Sequence, residues 1–254
     1  MMSGGRSAGF SAVLIAATLA VAALAAAERP TRSVSGNLEG VFNGDVSPDR
    51  LPGRKPTRVN LAISTNLRTL DGSHLPALRS FRLEADGHIG LNVRGIPVCK
   101  LTSLVGKTTR AALEACRSAA IGAGLIASET VVSRRPFDLD QELLVFNGGV
   151  ENGVTTLYVH TYLSEPISAA AIATVQVKKI RKGRIGLLAV AQIPPLAEGR
   201  GSITRFDLKL NKGAFGSCPD RRLTARLTAA FAGGARLESR LKRTCIPTSS
   251  AGSR

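Results

Sequence analysis

Three histidines, His74, His88 and His160, are all that this 254-residue chain offers for acid–base work near neutral pH. One closes the string Asp71-Gly72-Ser73-His74, which holds the residue types of a nucleophilic triad. Three near neighbours in one loop rarely reach the geometry such a triad requires, so the string reads as a polar turn before Leu75-Pro76. Asp138, Asp140 and Glu142 project to one side of an extended stretch and form the densest acidic group. A calcium loop of the EF-hand type would need Gly and Glu where the chain has Leu143 and Gly149. The trio is therefore a weak candidate for an irregular metal site, behind a solvated strand face paired with arginines. Tyr158, His160 and Tyr162 alternate with Leu157, Val159 and Leu163. Either this strand is central and its rings pack under a loop or helix, or the three form a ligand-contact patch with His160 as a switchable hydrogen-bonding group. The last group is cationic: Lys178, Lys179, Arg181, Lys182 and Arg184, around the turn Lys182-Gly183.

The catalytic motifs with fixed spacing are missing. After residue 27 there is no Gly-x-Ser-x-Gly elbow, and the chain has no His-Glu-x-x-His, phosphate-binding Gly-x-x-x-x-Gly-Lys-Ser/Thr loop or Cys-x-x-Cys pair. No cofactor is implied. With no Trp and two Tyr, the chain is poorly furnished to stack sugars or single-stranded bases, which argues against glycosidase chemistry and specific nucleic-acid recognition. Charge carries more information. Lys and Arg number 34 against 18 Asp and Glu, a formal charge of +16. A second basic group, Arg221, Arg222, Arg226, Arg236, Arg240, Lys242 and Arg243, lies near the end of the chain. Such a field attracts polyanions; the plainer reading is a solvated edge whose cations block edge-to-edge association.

Residues 1–27 carry Arg6, then an uncharged apolar run, then Ala25-Ala26-Ala27 before Glu28, the pattern of a cleaved export signal. The run from 7 to 27 is also just long enough for an uncleaved anchor. Outside the cytoplasm, Cys99, Cys116, Cys218 and Cys245 are expected to form two disulfides, and of three pairings the sequential one brackets two compact local units.

These groups must be held by strands. Inward Leu61, Ile63 and Leu67 alternate with outward Asn60, Ser64 and Asn66, and the same period of two recurs at 81–85, 205–210 and 223–231. Asn147-Gly148-Gly149 through Asn152-Gly153, Lys182-Gly183 and Gly233-Gly234 read as hairpin connections. One helix is expected over residues 109–120, stopped by Gly122, with Cys116 turned toward Cys99. The expected architecture is mainly β: an antiparallel β-sandwich or jelly-roll-like fold of about ten strands with one short helix. Its single domain spans 57–246, after a flexible Pro/Gly/charged leader (28–56) with an optional edge strand and before a disordered tail (247–254).

Three segments, 69–78 (TLDGSHLPAL), 95–99 (GIPVC) and Thr108-Thr109-x-Ala111 followed by Cys116-Arg117, resemble a family of uncharacterised secreted proteins of GC-rich bacteria. The resemblance implies an exported β-rich domain over about 57–245 and implies no chemistry. The expectation for function is a secreted or surface-associated, non-catalytic β-domain whose basic hairpin meets anionic envelope polymers or lipid headgroups. The alternatives are a secreted hydrolase with scattered site residues, and a carrier of a lipid or other apolar molecule. A cavity of several hundred cubic ångströms would favour the carrier, and convergent carboxylates or a Ser–His contact in a cleft the hydrolase.

Overall fold

A computed structural model describes residues 30–132, 135–164, 168–196, 199 and 201–248. The export signal falls outside them. The chain begins with the hairpin β1 (Thr31–Ser35) and β2 (Leu38–Ser47), then β3 (Arg50–Pro52), β4 (Thr57–Arg58), β5 (Asn60–Thr69), β6 (Leu78–Asp86) and β7 (Ile89–Leu91). A helix, α1 (Thr109–Cys116), precedes the long strands β8 (Ala120–Val132), β9 (Arg135–Glu151), β10 (Val154–Leu163) and β11 (Ala169–Lys182). The remainder is β12 (Ile185–Gln192), β13 (Gly201–Leu210), β14 (Ala214–Gly216), β15 (Arg222–Phe231), β16 (Arg236–Thr244) and β17 (Ile246–Thr248).

Twelve of these strands form one antiparallel sheet in the order β1-β2-β5-β13-β8-β9-β10-β11-β12-β6-β15-β16. The sheet curls until its two edges meet, giving a nearly closed barrel in place of the expected ten-strand sandwich. At the seam the hydroxyls of Thr31 and Ser33 donate to the carbonyls of Arg240 and Glu238, at 3.5 and 2.6 Å, so side chains join β1 to β16. Arg243 on β16 reinforces the closure by donating to the Gly44 carbonyl and the Asn43 side-chain oxygen on β2. The stretch read as a leader thus supplies two barrel strands and β3. Residues 246–248, the last two of which fall in the expected tail, pair in parallel with β3.

Alternation sorts the faces as expected. Leu61, Phe81, Leu83, Phe206 and Leu208 point into the barrel, and Phe81 meets Phe206 edge-on with ring centroids 5.0 Å apart. Outward positions carry Arg82, Glu84, Asp207, Lys209, Arg240 and Lys242. Several charges of this kind on a lipid-facing wall would cost about 2–4 kcal/mol each at midplane for the basic residues, so the exterior is built for water. Among the described residues no helix is long and apolar enough to cross a membrane.

The helix is shorter than expected: Thr108 caps it, its hydroxyl accepting from the Ala111 N–H at 3.3 Å, and Ala120 already opens β8. Gly122 is therefore no helix stop. It and Gly124 sit where β8 crowds β13, and a Cβ on Gly124 would stand 1.8 Å from the Asp207 carbonyl oxygen. The connection between β9 and β10 is also tighter than expected, a two-residue turn at Asn152-Gly153 with both residues at positive φ. Both disulfides pair sequentially, Cys99–Cys116 clamping α1 and Cys218–Cys245 tying the open end of the last hairpin. Two disulfides point to an oxidising, extracytoplasmic compartment.

Candidate anion-binding groove

The two basic groups of the sequence converge on the outer wall. Strands β11, β12, β6, β15 and β16 are consecutive neighbours, and their register places Lys178, Leu188, Glu84, Arg226 and Arg240 in one row across the sheet. Partners in a ladder share a face, so this row runs along the exterior with about 5 Å between strands. Beside it lies a groove of about 420 Å³, lined by Lys182 from the first basic group and by Arg222, Arg226, Arg240 and Lys242 from the second, with Glu84 in its wall.

Glu84 is the anionic group of that groove, and it is already engaged. The Arg82 guanidinium donates to it at 3.0 Å and the Lys182 ammonium lies 4.0 Å away. Arg82 above all, against the opposing effect of burial, holds the Glu84 carboxyl below the usual range, with Lys182 and Arg226 adding to the field. Arg226 and Arg240 face each other directly across the ladder, a like-charge pairing that disfavours the empty wall. Among the described residues, neither they nor Arg222 and Lys242 form an ion pair.

One member of the expected cluster, about a third exposed, is already engaged by carboxylates. Arg184 donates to Asp86, which is fully buried, and to both oxygens of Asp220 and the Arg222 carbonyl. Asp86 also accepts from the Thr224 N–H at 3.3 Å, the Thr224 hydroxyl at 3.2 Å and the His88 N–H at 3.1 Å. Asp220, mainly through its hydrogen bonds from Arg184, is held down to about 2, and the same contacts raise the Arg184 pKa. Arg184 is thus a structural cation that locks β6 to β15. Lys178, Lys179, Arg181 and Lys182 remain exposed.

The other sequence candidates lie elsewhere. His160 is fully buried on the wall that α1 covers, and its Nε2–H donates to the Lys107 carbonyl at 3.0 Å. Burial pushes its pKa down, so the ring is neutral. Tyr158 packs against the small core of Leu104, Ala112, Phe146 and the Cys99–Cys116 disulfide, and Tyr162 is half-buried. This strand therefore lies under helix and loop, and the open ligand patch is not what the geometry presents. Asp138, Asp140 and Glu142 lie on an exposed strand face, where Arg205 donates to Asp140 at 2.9 Å. No group of three or more acidic, His or Cys side chains is placed to hold a metal among the described residues.

Asp71 accepts from the Ser73 N–H at 2.9 Å, and hydrogen bonds from Ser73 and Asn37 lower its pKa to about 2. His74 turns away to the Glu129 carboxylate, which leaves Ser73 without a base. A different Ser–His contact exists, between the Ser217 hydroxyl and His88 Nδ1 at 3.4 Å. Ser217 is buried, and neighbouring Asp86 accepts from the backbone N–H of His88, so neither an accessible nucleophile nor an oriented base results. Inside the barrel lies a separate apolar cavity of about 180 Å³, smaller than the several hundred that would favour a lipid carrier. Comparison of the chain with protein-family models, curated proteins and solved structures found no match.

Proposed function

We propose that the protein is an exported, non-catalytic barrel that holds linear anionic polymers of the cell envelope, bearing phosphate or carboxylate groups, across its outer wall. The observation that carries this reading is the convergence of Lys182, Arg222, Arg226, Arg240 and Lys242 on one groove. Three of the five are arginines, whose planar forks match phosphate and carboxylate oxygens bidentately. A bound anion between Arg226 and Arg240 would turn their repulsion into two attractions. The groove has no Tyr, Phe or Trp in its lining, which disfavours base stacking, and no large apolar fringe for insertion into lipid.

The test is retention on purified anionic cell-wall polymer across a salt series, with acidic liposomes and single-stranded DNA as comparison surfaces. Binding to the polymer should weaken steeply with salt, because each neutralised phosphate releases counterions. A variant carrying Lys182→Gln, Arg226→Gln, Arg240→Gln and Lys242→Gln, with Arg184 kept, should fold and lose retention. Equal retention of wild type and variant, or stronger binding to liposomes or DNA than to the polymer, would overturn the proposal.

A further inference from the structure

We infer that the barrel interior is a second binding site, one for a compact, uncharged hydrocarbon of about one or two fused rings. It is independent of the outer groove. Twelve strands enclose more space than an eight-stranded barrel, whose side chains just fill it. Here the space is left open where β11 and β12 turn small side chains inward: Ala171 and Ala173 on one strand, Ala189 and Ala191 on the next. Phe81, Phe206 and Leu208 also border the cavity. Several of these inward residues are only half-buried although they face the interior, as expected for walls around a void.

The chemistry of the lining sets the ligand class. Its one polar side chain is Thr161, and that hydroxyl donates to the Glu142 carbonyl at 2.9 Å, so it is already satisfied within the sheet. A water molecule needs two to four polar partners and finds none on offer, whereas apolar cavities of roughly 150 Å³ stay dry and take up benzene-sized molecules. At about 180 Å³ the interior matches that scale and is too small for a whole acyl lipid. The cavity-lining stretch after β12, with Ile193, Pro194 and Leu196, is apolar too, so the lining positions nothing for a charged head. A hydroxyl on the ligand would be stranded without a partner, and the site should reject it.

Toluene, naphthalene and phenol serve as probes of the full, disulfide-bonded protein. The readouts are methyl NMR shifts and the thermal midpoint. Toluene and naphthalene should produce saturable shifts at the methyls of Ala173, Ala189 and Leu208 and leave Leu237, packed at the seam, unmoved. Phenol should bind at least about tenfold more weakly, the consequence of burying an unpaired hydroxyl. Ala173→Leu and, separately, Ala189→Leu fill the space from different strands, and each should abolish the toluene-dependent rise in midpoint. Should a filled variant fail to fold, the wild-type titration still decides. No saturable shift up to the solubility limit, phenol binding as tightly as toluene, or an undiminished response in both folded variants would refute the inference.

Discussion

Replacing Arg184 by Gln should damage the fold far more than replacing any of the neighbouring lysines. Asp86 is fully buried and accepts three neutral hydrogen bonds besides the charged one from Arg184. Without the guanidinium its carboxylate would remain in the interior with no counter-charge, and removing one partner of such a pair typically costs about 3–5 kcal/mol. For a domain of this size each kcal/mol moves the thermal midpoint by about 2–4 °C, so a fall of roughly 10 °C is expected. Lys178→Gln and Lys179→Gln alter exposed side chains and should stay within about 0.5 kcal/mol of wild type. The double variant Asp86→Asn with Arg184→Gln removes both charges and should recover part of the loss. The assay is denaturant unfolding with the disulfides intact, read as midpoint and slope. If Arg184→Gln proved as silent as Lys178→Gln, or the double variant were no better than the single one, Arg184 would be a surface cation and the locking role wrong.

Leu208→Asp puts a charge inside the barrel and should abolish folding or cost several kcal/mol, whereas Lys209→Asp on the outer face should be nearly silent; circular dichroism and unfolding curves separate the two. His160 carries a pH prediction. Its folded pKa lies below the usual 6.5, so the unfolded chain binds the extra proton as pH falls through that value. Stability from this group is complete above about pH 6.5 and declines below it, and His160→Gln should flatten the fall in midpoint between pH 7.5 and 5.5. An unchanged slope would mean the ring does not stay neutral in the fold. The mass of the exported protein should place its N-terminus at Glu28 with four hydrogens missing, and maleimide-reactive thiols after denaturation would contradict the disulfides.

The faces of the strands were legible in the sequence because burial on one side leaves a period of two, as at Phe206, Leu208 and Leu210 against Asp207 and Lys209. Closure was not legible. An apolar strand face looks the same whether a second sheet covers it or the far wall of its own barrel does. Residues 28–56 read as a Pro-, Gly- and charge-rich leader with at most one edge strand, yet Cβ atoms at Gly40 and Gly44 would approach Leu237 and Leu241 to 3.0 Å. The seam needs glycine for close packing, and glycine is what masks a strand. The cations of the groove were visible as two runs, but only the barrel, which seats β11 and β12 beside β6, β15 and β16, brings them together. The engagement of Arg184 depends on Asp86 and Asp220, distant in sequence, which no local pattern reveals. His160 and its tyrosines alternated as expected, but nothing local showed that residues 104–116 would roof them.

The central claim is that both basic runs form one anion site, and counting charges tests it most directly. The slope of log affinity against log salt for binding to anionic cell-wall polymer reports how many cations the polymer neutralises. Lys182→Gln, on the β11–β12 hairpin, and Arg240→Gln, on the β15–β16 hairpin, should each lower that slope by about 0.7–0.9, the value expected per contact. Lys209→Gln, on a distant part of the wall, should leave it unchanged. If Lys182→Gln and Arg240→Gln have no more effect than Lys209→Gln, the charges act as a diffuse field and the groove is not a site.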